Sequence, residues 1–213
     1  MRRLVHALLR RYARGQAAAV RPFVVGGRVL DLGAGEGYVT AALRERLDGW
    51  ICPVDVGPFR RVAGSYVVYD GGRLPFGDDA FNTTLLLLTL HHCAAPEGVL
   101  HEAVRVTRRR LIVSESVYCT RRDRFWLDLL DGRLNRHRHD GRMPPALHFK
   151  GTDEWRTLFE RLGLSVTHTR WLGCRWERLV HHPLLFVLDK PSAALEVEAA
   201  GVAADFSILK RPG

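Results

Sequence analysis

Val29-Leu30-Asp31-Leu32-Gly33-Ala34-Gly35-Glu36-Gly37 is the stretch on which the fold turns. Val29, Leu30 and Leu32 predict a strand over Arg28–Leu32, and three glycines in the next five positions break it. Glycine permits left-handed backbone and lets a ligand approach the chain closely. A helix is predicted over 40–47, stopped by Asp48-Gly49. Strand, glycine turn and helix in this order make a ligand-binding corner at the carboxyl end of a sheet strand.

Two kinds of ligand compete for such a corner. A dinucleotide needs G-x-G-x-x-G, with its pyrophosphate on the helix N-terminus. Counting from Gly33 or from Gly35, the third glycine would fall on Tyr38 or Thr40. Asp31 and Glu36 also add negative charge, which repels a pyrophosphate and suits a cation such as a sulfonium with an amino group. Asp55, 22 residues beyond Gly33, closes a second strand predicted at 50–54. A carboxylate there can take both hydroxyls of a ribose. Asp70 follows a third strand at 65–69 and stands beside the N–H of Gly71, where it can read the amino edge of an adenine.

Working outward, strands are predicted at 81–88, 111–117, 164–172 and 183–189. Helices are predicted at 2–20, Pro96–Val106, 122–134 and 152–162. The alternation gives an α/β class with a mainly parallel sheet covered on both faces. The chain divides into an N-terminal helix acting as a cap (1–25), a ligand-binding half (26–119), a helical or loop insertion acting as a lid (120–150), the remainder of the sheet (151–190) and a tail (191–213).

Composition sets the outer bounds. The chain has 213 residues, 46% apolar and 26% charged, which excludes a disordered, collagen-like or disulfide-stapled protein and suits one domain. The net charge is +9, from 29 Arg but only three Lys (Lys150, Lys190 and Lys210). That charge fits nucleic acid, an anionic membrane or an anionic ligand, and equally a coding bias toward Arg. Cys52, Cys93, Cys119 and Cys174 form no C-x-x-C and read as free, mostly buried thiols of a reducing compartment. No signal-like apolar region is seen at the start, and the apolar run from Leu85 to Leu90 is too short to span a bilayer. A soluble, cytoplasmic protein is expected.

Further stretches complete a pattern. Leu74-Pro75-Phe76-Gly77-Asp78-Asp79-Ala80-Phe81 precedes the fourth strand, and Leu90-His91-His92 follows it. Leu100-His101-Glu102-Ala103-Val104-Arg105-Val106 lies in the next helix. In this order, over about Val29 to Val117, the chain resembles the class I S-adenosylmethionine-dependent methyltransferases. It is most similar to the ubiquinone/menaquinone-biosynthesis (methyltransferase type 11) subgroup. The resemblance implies a Rossmann-like fold with a seven-stranded, mostly parallel sheet and a helical lid. It implies S-adenosyl-L-methionine as cofactor, with S-adenosyl-L-homocysteine as product. The implied cofactor contacts are Asp31, Gly33, Ala34, Gly35, Gly37, Asp55, Val56, Asp70, Gly71 and Leu88. Asn82 departs from the subgroup, which usually has Asp there.

The resemblance leaves the acceptor open. The leading expectation is in-line methyl transfer to an O, N or C atom of a small molecule, with His91 or His92 as the candidate general base. The other reading of this pair is that one packs on the cofactor and one caps a helix. Glu115 either faces the acceptor or satisfies a backbone amide. His137, His139 and His148 have no convincing metal-ligand spacing, and no metal is expected. Arg121–Arg142 forms either a lid for an anionic acceptor or a solvated face. A nucleic-acid methyltransferase is the first alternative. Against it, Thr89-Leu90-His91-His92 stands where base-amine methyltransferases usually carry an Asn/Asp-Pro-Pro-aromatic run. A cofactor-retaining protein with altered, cyclase-like chemistry is the second. The Arg-rich N-terminal helix also suggests docking on an anionic membrane.

Overall fold

The structure is a computed structural model that describes residues 2–129, 148–172 and 183–191. Helix α1 spans Arg2–Val20, and a short 3-10 turn at Arg21–Phe23 leads toward strand β1, Arg28–Leu32. Then come α2 (Tyr38–Arg44), β2 (Trp50–Asp55), β3 (Val67–Val68), β4 (Phe81–Leu87), α3 (Pro96–Val106) and β5 (Thr107–Tyr118). Beyond them lie α4 (Arg121–Leu129), β6 (Lys150–Gly151), α5 (Thr152–Arg161), β7 (Ser165–Trp171) and β8 (Pro183–Asp189). The sheet runs β3-β2-β1-β4-β5-β8-β7, with β6 paired to the end of β5. β8 is antiparallel to both its neighbours, and the other pairings are parallel. Strand order reverses between β1 and β4, so the crevice that binds ligands in such sheets opens there.

The period-2 alternation of strands sorts their side chains onto two faces. Leu30, Leu32, Cys52, Val54, Leu86, Leu111 and Val113 pack under α3 and α5. Val29, Ile51, Leu85, Ile112 and Leu185 pack under α1 and α2, meeting Ala17, Val20, Ala42 and Leu43. A strand buried on both faces excludes charge: β4 reads Phe-Asn-Thr-Thr-Leu-Leu-Leu, and its buried Thr83 and Thr84 hydroxyls are hydrogen-bonded to the Val25 carbonyl and to Thr107.

The family-like stretch around Leu74–Phe81 proves to be a clasp rather than a site. Arg105 on α3 donates to the carbonyls of Phe76 and Leu74, at 2.9 and 3.2 Å, and to the carboxylates of Asp78 and Glu102. Glu102 also accepts the Leu74 N–H at 2.8 Å. The Arg105 guanidinium holds the Glu102 carboxyl down at about 2. Asn82 lies at the opposite end of β4 from the crevice, where it accepts the Arg28 N–H at 3.1 Å. Its departure from the subgroup therefore bears on the turn before β1, not on ligand contacts.

Several boundaries differ from expectation. α2 begins at Tyr38, two residues early, because Gly37 in the left-handed region (φ +78°) ends the turn sooner. β3 shrinks to two residues at the sheet edge, where one side has no strand to pair with. β5 extends back to Thr107 despite Arg108, Arg109 and Arg110. Pairing with β4 and β8 on both sides holds it extended, and Arg110 makes a two-pronged ion pair with Asp189 of β8 at 2.6 and 3.0 Å. β6 was unforeseen. The helix expected at 122–134 is described as Arg121–Leu129, and the rest of it, His137, His139, Cys174 and nearly all of the tail lie outside the described residues. Among the three described cysteines, all free, only Cys52 is buried. Cys93 is half-buried and Cys119 is exposed.

Candidate active site

The glycine turn is fastened to β2 by backbone bonds. The N–H groups of Gly33 and Ala34 both donate to the carbonyl of Val54, at 2.8 and 3.0 Å. The Asp55 carboxylate then takes the Gly35 N–H at 2.8 Å and the Val56 N–H at 2.7 Å, one on each oxygen. A carboxylate has about four acceptor sites, more than these two N–H groups occupy. From the far side, the Tyr66 hydroxyl donates to the Gly35 carbonyl at 2.8 Å.

Two glycines of the turn do different work. Gly33 has φ +79°, and a Cβ there would collide with the Thr89 side chain, so only glycine lets β1 and the β4 loop touch. Gly35, at φ +53°, would put its Cβ into open space. That space is a cleft of about 410 Å³ at the carboxyl ends of β1, β2, β3 and β4.

Seven of the expected contacts line this cleft: Gly33, Gly35, Asp55, Val56, Asp70, Gly71 and Leu88. Asp70 accepts the Gly72 N–H at 2.9 Å, folding the turn that brings Gly71 to the wall. Phe59, Tyr69 and Cys93 also line it and were missed. They sit in loops or at the end of a two-residue strand, where no periodicity marks them.

Three expected contacts do not reach the cleft wall. Ala34 spans the turn and accepts the Gly37 N–H at 2.8 Å, while Gly37 caps α2. Asp31 is buried on the opposite side of β1, under α2, where it accepts the Thr40 hydroxyl. Strand alternation decides this, because Asp31 shares a face with Val29 rather than with Leu30 and Leu32. Burial pushes its carboxyl up to about 6, with the Thr40 hydrogen bond partly opposing and the charge of Asp55 adding.

The corner carries an acidic field. The Tyr66 phenol is raised in pKa, by burial first and then by Asp55, Asp31 and Glu36. Burial likewise pushes the Tyr69 phenol and the Cys93 thiol up to about 12 each. Both remain protonated near neutrality, which removes Cys93 as a nucleophile.

The histidine pair separates into two roles. β4 ends at Leu87, and Leu88 takes φ +57°, rare for a bulky residue. The chain turns there because Glu115, fully buried on β5, accepts the N–H groups of Thr89 and Leu90 at 3.0 and 2.7 Å on one oxygen. Its other oxygen meets His91 Nδ1 at 2.5 Å. His91 is 1% exposed and stacks on Phe149, outside the set of residues that line the cleft. His92 packs against His91 and lines the cleft. Glu115 satisfies backbone amides, the second of the two roles the sequence left open for it.

Strand order, switch-point cleft and acidic glycine corner together define a Rossmann-like class I methyltransferase fold. Residues 30–112 match the family described as "Methyltransferase domain". In sequence the chain is similar to the demethylmenaquinone methyltransferase of Mycobacterium bovis, 36% identical over 97 residues, which is 42% of this chain and 41% of that protein. The chain thus matches about two fifths of the length of such curated relatives. In structure it is similar to magnesium protoporphyrin IX methyltransferase from Synechocystis with bound S-adenosylhomocysteine (TM-score 0.59, 15% identity, 85% of this chain and 83% of that one). It is also similar to the [4+2]-cyclase SpnF (TM-score 0.62, 15% identity, 84% and 81%). These two likenesses establish the shared fold.

Proposed function

We propose that the protein is an S-adenosylmethionine-dependent methyltransferase acting on a small-molecule acceptor. The observation that carries this reading is the arrangement of Asp55, Asp70 and the open face of Gly35 around one cleft. The donor set suits the cofactor. Asp55 can accept ribose hydroxyls on oxygens whose positions two backbone N–H groups already fix. Asp70 and the Gly71 backbone, which line the cleft together with Val56 and Phe59, can read the adenine edge. The acidic corner favours a ligand with an ammonium and a sulfonium.

When bound, the cofactor supplies an activated methyl group. The protein's own part is to hold two partners in line and keep water out. Leu88, Thr89 and Val99 line the cleft with His92, and Glu115 fixes the loop that bears it. His92 is the titratable imidazole at the cleft and can take a proton from an acceptor oxygen. The demethylmenaquinone methyltransferases among the relatives favour a ring acceptor of the quinol type, and the mainly apolar cleft suits one.

Calorimetry with S-adenosylhomocysteine tests the cofactor reading: wild type should bind, and Asp55→Ala should bind far more weakly. Absence of wild-type binding overturns it. Incubation with S-adenosylmethionine and a short-chain demethylated quinol should then increase the acceptor's mass by one methyl group.

A further inference from the structure

Helix α1 presents a face to solvent that the cleft does not use. Its inner side, with Ala13, Ala17 and Val20, is buried. At about 100° per residue, the opposite arc carries Leu8, Arg11, Arg14 and Gly15, with Arg10 on one flank and Tyr12 on the other. All six are exposed. The helix has no Asp or Glu anywhere in its 19 residues.

Each flank opens on a hollow. On one side Leu8, Arg11 and Tyr12, with Arg170 and Trp171 of β7, border about 540 Å³. On the other, Arg10, Arg14 and Arg61 border about 580 Å³, with the Arg10 guanidinium 5.4 Å from the centre of the Tyr38 ring. Among the described residues, no ion pair holds any of these five arginines. Beside them stand large apolar side chains: Leu8 is 59% exposed, Trp171 40% and Tyr12 38%. A single exposed leucine is ordinary. Three such side chains around one hollow that Arg11 and Arg170 also border, with Arg10, Arg14 and Arg61 on the other flank, are not.

We infer that this face docks on an anionic lipid surface. The guanidinium groups pair with lipid phosphates, which their planar donor geometry suits. Leu8, Tyr12 and Trp171 enter the zone below the headgroups, where apolar and aromatic side chains gain most. A nucleic acid would use the same arginines, but an aliphatic side chain beside two aromatic ones and a basic helix face is the composition of an interfacial helix. No helix among the described residues is long and apolar enough to cross a membrane, and the docking proposed here is peripheral. The inference rests on α1, Arg61 and β7, and is independent of the methyl-transfer reading.

Co-sedimentation of the full chain with phosphatidylcholine vesicles, with and without phosphatidylglycerol, tests it. Binding should require phosphatidylglycerol and should fall steeply between about 0.1 M and about 1 M salt. Arg10→Glu with Arg14→Glu should weaken binding at least about 25-fold, at roughly fivefold per lost arginine. Leu8→Ser with Trp171→Ser should weaken it at every salt concentration. S-adenosylhomocysteine binding and thermal melting report whether each variant is folded. Should the arginine pair fail to fold, the salt dependence of wild type and the Leu8/Trp171 pair decide. Equal binding to neutral vesicles, no vesicle binding, or variants that bind like wild type would overturn the inference. Binding of single-stranded RNA without binding of vesicles would also overturn it, and would assign the face to nucleic acid.

Discussion

The carboxylate of Asp55 accepts the backbone N–H of Gly35 at 2.8 Å. The acid that ends β2 thereby fixes the turn that follows β1, and two features 20 residues apart become one wall of the cleft. Position and charge are delivered together: the same group that shapes the glycine turn also lines the cleft.

Asp55→Ala should therefore fail in two ways. Loss of hydrogen bonds to a charged acceptor, each worth about 1.5–3 kcal/mol, should lower stability by roughly 2 kcal/mol and weaken S-adenosylhomocysteine at least about tenfold. Urea denaturation and calorimetry measure the two losses separately.

Gly33 and Gly35 should separate fold from binding. Gly33→Ala meets both left-handed strain and the Thr89 methyl, and should cost about 2–4 kcal/mol. Gly35→Ala meets only the strain, about 1 kcal/mol, but its methyl group enters the cleft. The first should melt early, while the second should stay folded and lose S-adenosylhomocysteine binding.

Asp31 should set a pH dependence. Its folded pKa of about 6 lies above the ordinary 3.8, so the folded protein holds this proton more tightly than the unfolded chain. The resulting stability is fully present below pH about 4 and is lost as pH rises through about 6. Asp31→Asn keeps an acceptor for Thr40 and removes the titration. Its stability relative to wild type should rise from pH about 4 to about 7, by on the order of 3 kcal/mol. Denaturation midpoints across that range are the measurement, and a flat difference would contradict the assignment.

Glu115 and His92 should behave oppositely. Glu115→Ala takes the acceptor from the Thr89 and Leu90 N–H groups and the carboxylate from beside His91, and should cost about 3 kcal/mol or more. Glu115→Gln, which keeps a carbonyl for the amides, should cost about 1 kcal/mol. His92→Ala should leave melting unchanged and lower turnover. If turnover of the wild type rises with pH through the imidazole range, the variant should lose that rise.

Much of the site was legible because glycine and aspartate leave sharp marks. Gly33, Gly35, Asp55 and Asp70 follow strand ends at fixed spacing, and the structure gathers all four at one cleft. Phe59, Tyr69 and Cys93 left no mark, since irregular segments impose no period on their residues. Asp31 and His91 were legible as unusual residues but not as buried ones. Both sit next to cleft residues in sequence, and only the direction of the side chain separates them from the ligand space.

The sequence by itself determined the α/β alternation, the corner after β1 and the acidic character that disfavours a pyrophosphate. These are local consequences of residue type and spacing. The tertiary structure alone decided that α1 packs against the sheet through its alanine side and leaves Arg10, Arg11 and Arg14 outward. It alone decided that Glu115 anchors the β4 loop and that, of two adjacent histidines, His92 meets the cleft. Those outcomes depend on which faces of distant elements come together, and burial settles them only once the whole sheet is assembled.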